Sequence, residues 1–250
     1  IPTSSTMSQL CWSSVDSQRL ALCSDDKLIE LWDIRASRAA MKMQSLGSNI
    51  NMDWSPCGHY LVVGNKSDNV CVIDVRTGNT VKKKKFHYEV NELAWTYNSD
   101  YILAAANSDG FGSVDVISFQ SNEELEVADS ILCHASNCFH LKLDPSYTRM
   151  AVSSFDQCTS VWSLDTLIST QTLTLDSDIR NFSFNGDGRY IAVICDEPAV
   201  LICDCDSGES VAKINTRARN HMISWNPKHS HVIACMHENR NNNTSQFLKL

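Results

Sequence analysis

Short apolar stretches alternate with turn residues along the whole chain. Tyr60-Leu-Val-Val63 and Tyr190-Ile-Ala-Val193 are rich in β-branched and aromatic residues, and turn-forming residues flank both, which is typical of β-strands. Trp54-Ser-Pro-Cys-Gly58 and Phe184-Asn-Gly-Asp-Gly188 precede them and predict tight turns. Because no long window shows a helical apolar period, and Ser, Thr, Asn and Asp are frequent throughout, the sequence predicts an all-β protein.

This strand pattern repeats at intervals of roughly forty residues, with one longer interval before the fourth repeat. An anchor residue, usually aromatic, ends the first predicted strand of each repeat: Trp12, Trp54, Trp95, Leu143, Phe184 and Trp225. About twenty residues after each of the first five anchors comes a second marker: Trp32-Asp33, Ile73-Asp74, Ile117-Ser118, Trp162-Ser163 and Cys203-Asp204. An interval of about 40 to 45 residues is the length of a four-stranded propeller blade.

Between the two markers of each repeat lies a turn with an acidic residue. These residues are Asp26, Asp68, Asp109, Asp156 and Asp196. Asp suits such turns because its carboxylate accepts hydrogen bonds from nearby backbone N–H groups. We therefore expect these carboxylates to stabilise the turns.

The aromatic-Ser-Pro turn, the turn Asp and the Trp-Asp pair resemble the repeats of the WD-repeat family over residues 7 to 250. Trp32-Asp33 is a complete Trp-Asp dipeptide, and His134 stands where the family has a Gly-His dipeptide. The resemblance implies a β-propeller. It also implies that His134 is a structural histidine, bonded through Ser154 or a neighbour toward Asp156 and Trp162.

Six repeats predict a single propeller domain over residues 1–250, with repeats at approximately 7–45, 46–87, 88–134, 135–177, 178–218 and 219–250. Phe247-Leu-Lys-Leu250 aligns with the third strand of the earlier repeats, and residues 1–6 make a poor fourth strand. We therefore expect a seventh repeat upstream, with a closed six-bladed ring as the alternative. Two insertions, 121–130 and 238–245, are predicted to be loops, where binding specificity commonly resides.

The composition of the chain argues against several functional classes of protein. The chain has 21 basic and 29 acidic residues and a net charge of -8, which argues against a surface that follows nucleic-acid phosphates as a whole. Its apolar runs are shorter than a membrane span requires. Because most of the 11 cysteines sit in apolar runs and their number is odd, we expect a reduced, intracellular protein.

The strongest local charge is Lys82-Lys-Lys-Lys85. These lysines are candidates for contact with an acidic partner or with RNA. They also fall where the outer strand of the second repeat is predicted, and lysines on an outer strand prevent edge-to-edge aggregation. The sequence favours this second, structural interpretation.

No cofactor, metal site or catalytic residue is expected. Cys133, His134, Cys138 and His140 are zinc-compatible, but their spacing matches no zinc motif, and alternation along a strand sends neighbours to opposite faces. Cys203-Asp-Cys205 is interpreted as two core thiols on one face. Because neither a nucleophile elbow nor a His-Glu-x-x-His motif is present, we predict that the chain is not an enzyme and has no small-molecule substrate.

Four stretches resemble one group within the family, whose members work in a nuclear assembly that couples transcription to mRNA export. They are Asn49-Ile-Asn-Met-Asp-Trp-Ser-Pro56, Val63-Gly-Asn-Lys-Ser-Asp68, Tyr88-Glu-Val-Asn-Glu-Leu-Ala-Trp95 and Ser136-Asn-Cys-Phe-His-Leu-Lys-Leu-Asp-Pro145. The resemblance implies a nuclear scaffold that docks on the large helical subunit of that assembly, with indirect or weak RNA contact. The alternative is a WD-repeat adaptor elsewhere, such as a ubiquitin-ligase substrate receptor or a trafficking coat subunit. Tyr88, Tyr97 and Arg180 are candidate anchors for partners.

Overall fold

The structure is a computed structural model that describes residues 6–36, 38–120, 124–239 and 242–249. Across these residues the regular structure consists of 23 β-strands in six sheets, and consecutive strands are neighbours in every sheet. The all-β prediction is therefore confirmed. The described part of the chain contains no helix with the length and apolar character that a membrane span requires.

The chain divides into two compact units, Ile1–Leu132 and Cys133–Leu250. The first unit contains sheets 1 to 3. Sheet 1 consists of β1 (Met7–Trp12), β2 (Arg19–Ser24), β3 (Leu28–Asp33) and β4 (Ala39–Gln44). Sheet 2 consists of β5 (Asn49–Trp54), β6 (Tyr60–Asn65), β7 (Asn69–Asp74) and β8 (Thr80–Lys85). Sheet 3 consists of β9 (Glu89–Trp95), β10 (Tyr101–Ser108), β11 (Phe111–Ser118) and β12 (Glu126–His134), the last of which ends inside the second unit.

The second unit contains sheets 4 to 6. Sheet 4 consists of β13 (Cys138–Leu143), β14 (Arg149–Ser154), β15 (Cys158–Ser163) and β16 (Ser169–Thr174). Sheet 5 consists of β17 (Ile179–Phe184), β18 (Tyr190–Cys195), β19 (Ala199–Asp204) and β20 (Ser210–Asn215). Sheet 6 has three strands among the described residues: β21 (Asn220–Trp225), β22 (Val232–Asn239) and β23 (Asn242–Lys249). The single domain over 1–250 and the seventh repeat stay predictions.

The cores lie between consecutive sheets of each unit. On β6, Leu61 and Val63 belong to the cluster shared with sheet 1, whereas Val62 belongs to the cluster shared with sheet 3. Successive side chains of a strand point to opposite faces, so the second and third strands are buried on both sides. This explains why their sequences are continuous apolar runs, whereas the outer strands are mostly polar.

Side chains on the first strands connect neighbouring sheets. In the first unit, Gln9 Oε1 accepts a hydrogen bond from the Met52 backbone N–H at 2.6 Å, and Asp53 Oδ2 accepts one from Trp95 N–H at 2.8 Å. Burial raises the pKa of Asp53 to about 7, against the backbone hydrogen bonds that lower it. These bonds fix the first strands of adjacent sheets beside one another.

Four of the six turns that join first and second strands contain one residue with positive φ. That residue is Gly58 in sheet 2 (φ 78°) and Gly188 in sheet 5 (φ 73°). Ser99 and Tyr147 adopt similar angles in sheets 3 and 4, at 61° and 56°. The turn is therefore kept even where the favourable glycine is absent.

The aromatic anchors pack against the preceding sheet. Trp54 belongs to the cluster shared with sheet 1, Trp95 to the one shared with sheet 2, and Trp225 to the one shared with sheet 5. Trp12, in contrast, is 51 % exposed. Phe184 belongs to the cluster shared with sheet 4, so the same sequence position is a core residue in four sheets and a surface residue in sheet 1.

The two predicted loop insertions contain strand instead, so both predictions were wrong in part. Residues 121–123 lie outside the described residues, but β12 already begins at Glu126 and is longer than the outer strands of the other sheets. Residues 240–241 also lie outside the described residues, and β22 and β23 run to Asn239 and from Asn242. The additional residues lengthen paired strands, because each added pair contributes ladder hydrogen bonds that a loop would lack.

Candidate interaction surfaces

His134, the last residue of β12, organises a buried hydrogen-bond chain with side chains of sheet 4. Its Nδ1 lies 2.9 Å from Asp156 Oδ2, and its Nε2 lies 2.7 Å from Ser160 Oγ. Trp162 Nε1 donates to the same Ser160 oxygen at 2.7 Å. The hydroxyl that connects His134 to Trp162 therefore belongs to Ser160, whereas Ser154 Oγ donates to the Ser136 carbonyl.

The order Ser160, His134, Asp156 resembles a hydrolytic triad, but its surroundings do not suit catalysis. Ser160 is 3 % exposed, and its oxygen already accepts a hydrogen bond from Trp162. A nucleophilic hydroxyl must reach the substrate and must be free to attack it. The arrangement stabilises the fold by connecting the end of β12 to β15 and to the turn before β15.

Buried carboxylates take the place of Ser160 in sheets 1 and 3. In sheet 1, Trp32 Nε1 donates to Glu30 Oε2 at 3.0 Å, and Lys42 Nζ lies 2.7 Å from Glu30 Oε1. In sheet 3, Asp115 accepts hydrogen bonds from the hydroxyls of Tyr88 and Ser130. Because burial and this carboxylate raise the pKa of Tyr88, its hydroxyl stays a donor to Asp115, and this candidate anchor has an internal role.

The five turn aspartates perform three different tasks. Asp26 and Asp156 accept backbone N–H groups within their turns, as the sequence predicts. Asp68 and Asp109 instead occupy the positive-φ position, at 56° and 53°, which Asp tolerates better than most residues. Asp196 binds arginine side chains. The contact expected for all five, from the carboxylate to a backbone N–H group of its turn, is therefore present at Asp26 and Asp156.

The lysine run of β8 divides into two pairs because alternate residues point to opposite faces. Lys82 donates to the Phe119 carbonyl and lies 4.8 Å from the centroid of the Phe119 ring. Lys84 lies 5.7 Å from the Phe86 ring. Lys83 and Lys85 are exposed. Two lysines thus place their ammonium groups over aromatic rings, and two present their charges to solvent.

The cysteine and histidine groups singled out in the sequence lie in structural positions. Cys203 and Cys205 are both buried in the core between sheets 4 and 5, and all 11 cysteines are free thiols. Cys57 is exposed, in the turn after β5. Among the described residues, no group of three or more His, Cys, Asp or Glu side chains is placed to hold a metal ion.

One exposed surface of the first unit is formed by the turns after the first strands. Val15 lies over Gly58, where a Cβ atom would approach Val15 to 2.4 Å. The backbone N–H of Cys57 donates to Ser99 Oγ at 3.2 Å. Tyr97, a candidate anchor, is 73 % exposed beside them. We call Val15, Cys57 and Tyr97 the turn surface.

A β-bulge recurs near the start of the first strand in all six sheets. At each bulge the strand register skips one residue of the first strand: Ser8, Ile50, Asn91, Phe139, Arg180 and His221. Bulges redirect side chains and are frequent beside functional sites. The backbone feature is constant while the residue type varies, so this position gives each sheet its own surface chemistry.

At the bulge of sheet 5, two arginines bind one carboxylate. Arg180 Nε lies 2.5 Å from Asp196 Oδ1, and Arg219, directly before β21, binds the same oxygen. The side chains of Arg180, Arg219 and Asp196 are 43 %, 40 % and 39 % exposed. Hydrogen bonds from the two guanidinium groups lower the pKa of Asp196 to about 2. We call Arg180, Arg219 and Asp196 the arginine cluster.

The equivalent positions of sheet 4 carry an aromatic pair. Phe139 is the bulge residue of β13 and Phe155 follows β14, as Arg180 and Asp196 do in sheet 5. Their ring centroids lie 4.7 Å apart, and Phe155 is 55 % exposed. Phe139 also packs against the core cluster that contains Ile179, the neighbour of Arg180. Because β13 and β17 pack beside each other, Phe139 and Arg180 occupy equivalent positions on adjacent first strands.

Comparison with known proteins agrees with this architecture. The family model for the WD40 domain of anaphase-promoting complex subunit 4 matches residues 43–98 and 151–237. THO complex subunit 3 of Arabidopsis thaliana is 33 % identical over 226 residues, which cover 90 % of this chain and 70 % of that protein. WD repeat-containing protein AAC3 of Dictyostelium discoideum is 26 % identical over 186 residues, 73 % of this chain and 38 % of that protein.

A solved structure supports the fold independently of sequence identity. The β-propeller domain of Cps50 (Swd1) from Myceliophteria thermophila superposes with a TM-score of 0.66 at 14 % identity. The match covers 100 % of this chain and 98 % of that domain. This chain therefore belongs to the WD-repeat β-propeller family, within which it resembles THO complex subunit 3.

Proposed function

We propose that this chain is a non-catalytic scaffold subunit of a THO-type assembly, which acts in the nucleus in mRNP assembly and mRNA export. The observation that carries the proposal is the 33 % identity to THO complex subunit 3 along 90 % of the chain. Its partners are the other subunits of that assembly, above all the large helical subunit. Contact with RNA is indirect or weak.

The distribution of side chains supports a binding role. The buried cores and the hydrogen bonds between first strands hold the sheets in place, while the bulge and turn residues differ from sheet to sheet. A preformed surface loses little conformational entropy on binding, so a few aromatic or arginine anchors can supply most of the affinity. The Ser-His-Asp chain of sheet 4, in contrast, is buried and committed to Trp162.

The test is purification of the full-length protein from nuclear extract through a C-terminal tag, with and without ribonuclease, followed by mass spectrometry. We expect the THO subunits in both samples, because the contacts are between proteins. Loss of these subunits after ribonuclease would show that RNA makes the connection. Their absence from both samples would overturn the assignment to a THO-type assembly.

Two surface variants make the same experiment informative about the docking position. Tyr97→Ala removes an exposed aromatic group from the turn surface, and Ile168→Ala removes a comparably exposed apolar group from sheet 4. If the turn surface carries the docking contact, recovery of THO subunits falls with Tyr97→Ala and is unchanged with Ile168→Ala. Equal recovery from both variants would exclude Tyr97 as the anchor.

A second candidate function is that of a WD-repeat adaptor in another assembly, such as a ubiquitin-ligase substrate receptor or a trafficking coat. The specific observation in its favour is the match to a family model named for a subunit of the anaphase-promoting complex. Recovery of ligase or coat subunits in place of THO subunits would support this candidate.

A further inference from the structure

The arginine cluster has more hydrogen-bond donors than its single carboxylate can use. A guanidinium group carries five N–H donors in a planar fork. Arg180 directs Nε and Arg219 directs one terminal nitrogen to Asp196 Oδ1, and both guanidinium groups are partly exposed, so a partner can reach their other N–H groups. A further carboxylate placed beside Asp196 would satisfy donors that the chain itself leaves open, through charge-assisted hydrogen bonds.

The charges around the cluster favour a single acidic group over a polyanion. Asp178 lies near enough to Arg180 to influence its charge, and Glu197, next to Asp196, is paired with Lys213 at 2.7 Å. These carboxylates would repel an extended phosphate backbone, which needs positive charge along its whole path. One carboxylate entering between the arginines avoids most of that repulsion.

The aromatic pair supplies the second half of a recognition surface. Phe155 is more than half exposed and stacks on Phe139, whose position corresponds to that of Arg180 in the neighbouring sheet. An exposed aromatic ring on one sheet and an arginine cluster at the corresponding end of the next sheet combine the residue types that dominate binding energy at protein interfaces. A partner side chain that covers Phe155 would have to be aromatic or large and aliphatic.

We propose that the arginine cluster and the aromatic pair together bind a short partner segment in which an Asp or Glu stands beside an aromatic or large aliphatic residue. The inference rests on the proposed function only in that the chain binds other proteins. It names the chemistry of one partner and does not depend on which assembly that partner belongs to.

The test begins with selection of a random-peptide phage library on the immobilised full chain. The enriched peptide is then synthesised with a fluorescent label, and its affinity is measured by fluorescence anisotropy. We expect enriched peptides to contain an acidic residue next to an apolar one. The double variant Arg180→Gln, Arg219→Gln should bind the peptide at least about tenfold more weakly, because charge-assisted hydrogen bonds are lost.

Arg189→Gln is the matched control, because Arg189 pairs with Asp204 in the same sheet, just before β18, whereas Asp196 follows that strand. It should bind the peptide like the unmodified chain. Asp196→Asn keeps both arginines and removes the internal negative charge, so peptide affinity should be equal or higher. If Asp196→Asn lost as much affinity as the double variant, the cluster would only hold the turn in place, and the proposal would be wrong.

Other outcomes are equally decisive. No enrichment, enrichment of peptides without an acidic residue, or unchanged affinity in the double variant would overturn the proposal. A labelled oligouridine tested in the same assay covers the RNA alternative. If the chain bound this RNA through the two arginines and bound no peptide, the peptide proposal would be overturned in favour of RNA. Because these measurements use the purified chain, failure to recover THO subunits from extract would leave their result unaffected.

Discussion

Replacing one buried hydroxyl in sheet 4 tests the role assigned to the His134 chain. Ser160→Ala removes the oxygen that accepts from Trp162 Nε1 and contacts His134 Nε2, both at 2.7 Å. The Ser160 side chain is 3 % exposed, so water cannot readily replace it. The Trp162 N–H loses its acceptor, and His134 Nε2 keeps only the Val152 carbonyl at 3.2 Å.

The expected loss follows from these contacts. An unsatisfied buried polar group costs about 1 to 3 kcal/mol. Since His134 Nε2 retains a polar neighbour and Trp162 Nε1 does not, we expect Ser160→Ala to lower the free energy of unfolding by about 2 to 3 kcal/mol. With a urea dependence of about 2 to 3 kcal/mol per M, the unfolding midpoint falls by about 1 M. Tryptophan fluorescence during urea titration measures it.

Ser153→Ala is the matched control. Ser153 is buried on β14, which pairs with β15, but its hydroxyl has no hydrogen-bond partner. Removing that hydroxyl should leave the urea midpoint unchanged or raise it slightly. Equal destabilisation by Ser153→Ala and Ser160→Ala would refute the reasoning, because only lost packing would then be measured. Trp162→Phe combined with Ser160→Ala should destabilise less than the sum of the single changes.

Three further predictions concern other parts of the fold. Burial raises the pKa of Asp53 to about 7 from the ordinary value of 3.8, so the folded state holds the Asp53 proton more tightly than the unfolded state does. The free energy of unfolding should therefore fall as the pH rises from 3.8 to about 7. Asp53→Asn should flatten this decline in urea titrations at several pH values. Gly186→Ala places a Cβ 2.2 Å from the Pro227 carbonyl oxygen and should lower the melting temperature by an amount equivalent to about 1 to 3 kcal/mol; an unchanged melting temperature would show that the turn can move. Partial burial opposes ionisation of Cys57, but hydrogen bonds to its sulfur outweigh it and lower the pKa of this exposed thiol, so mass spectrometry after brief iodoacetamide treatment should find Cys57 alkylated before the buried cysteines.

Local features of the chain could be predicted because they depend on neighbours in sequence. The positions of the strands and the turns after Trp54 and Phe184 follow from apolar alternation and turn chemistry. The outward-facing lysines of β8 follow in part from the same alternation. The choice of Ser160 over Ser154 does not, because it depends on how β14 and β15 pair and on where the end of β12 places His134.

The candidate binding residues also combine features that the sequence predicts with contacts that only the packed sheets create. Arg180 is recognisable in the sequence only as an exposed arginine on a first strand. Its joint contact with Asp196 and Arg219 depends on three segments that meet only after the sheets pack. Tyr88 and Tyr97 look alike in sequence, yet one is committed to Asp115 and the other is exposed.

The sequence by itself determined the all-β class, the six repeats and their WD-repeat character, because strand periodicity, turn residues and repeat spacing are local properties of the chain. The tertiary structure alone decided which residues at the same position of different repeats are buried, hydrogen-bonded or exposed. Trp12 and Trp54 occupy the same position in their repeats, but Trp12 is 51 % exposed, whereas Trp54 packs in the core shared by sheets 1 and 2. The energy of a side chain depends on the surface packed against it, and that surface comes from residues distant in sequence.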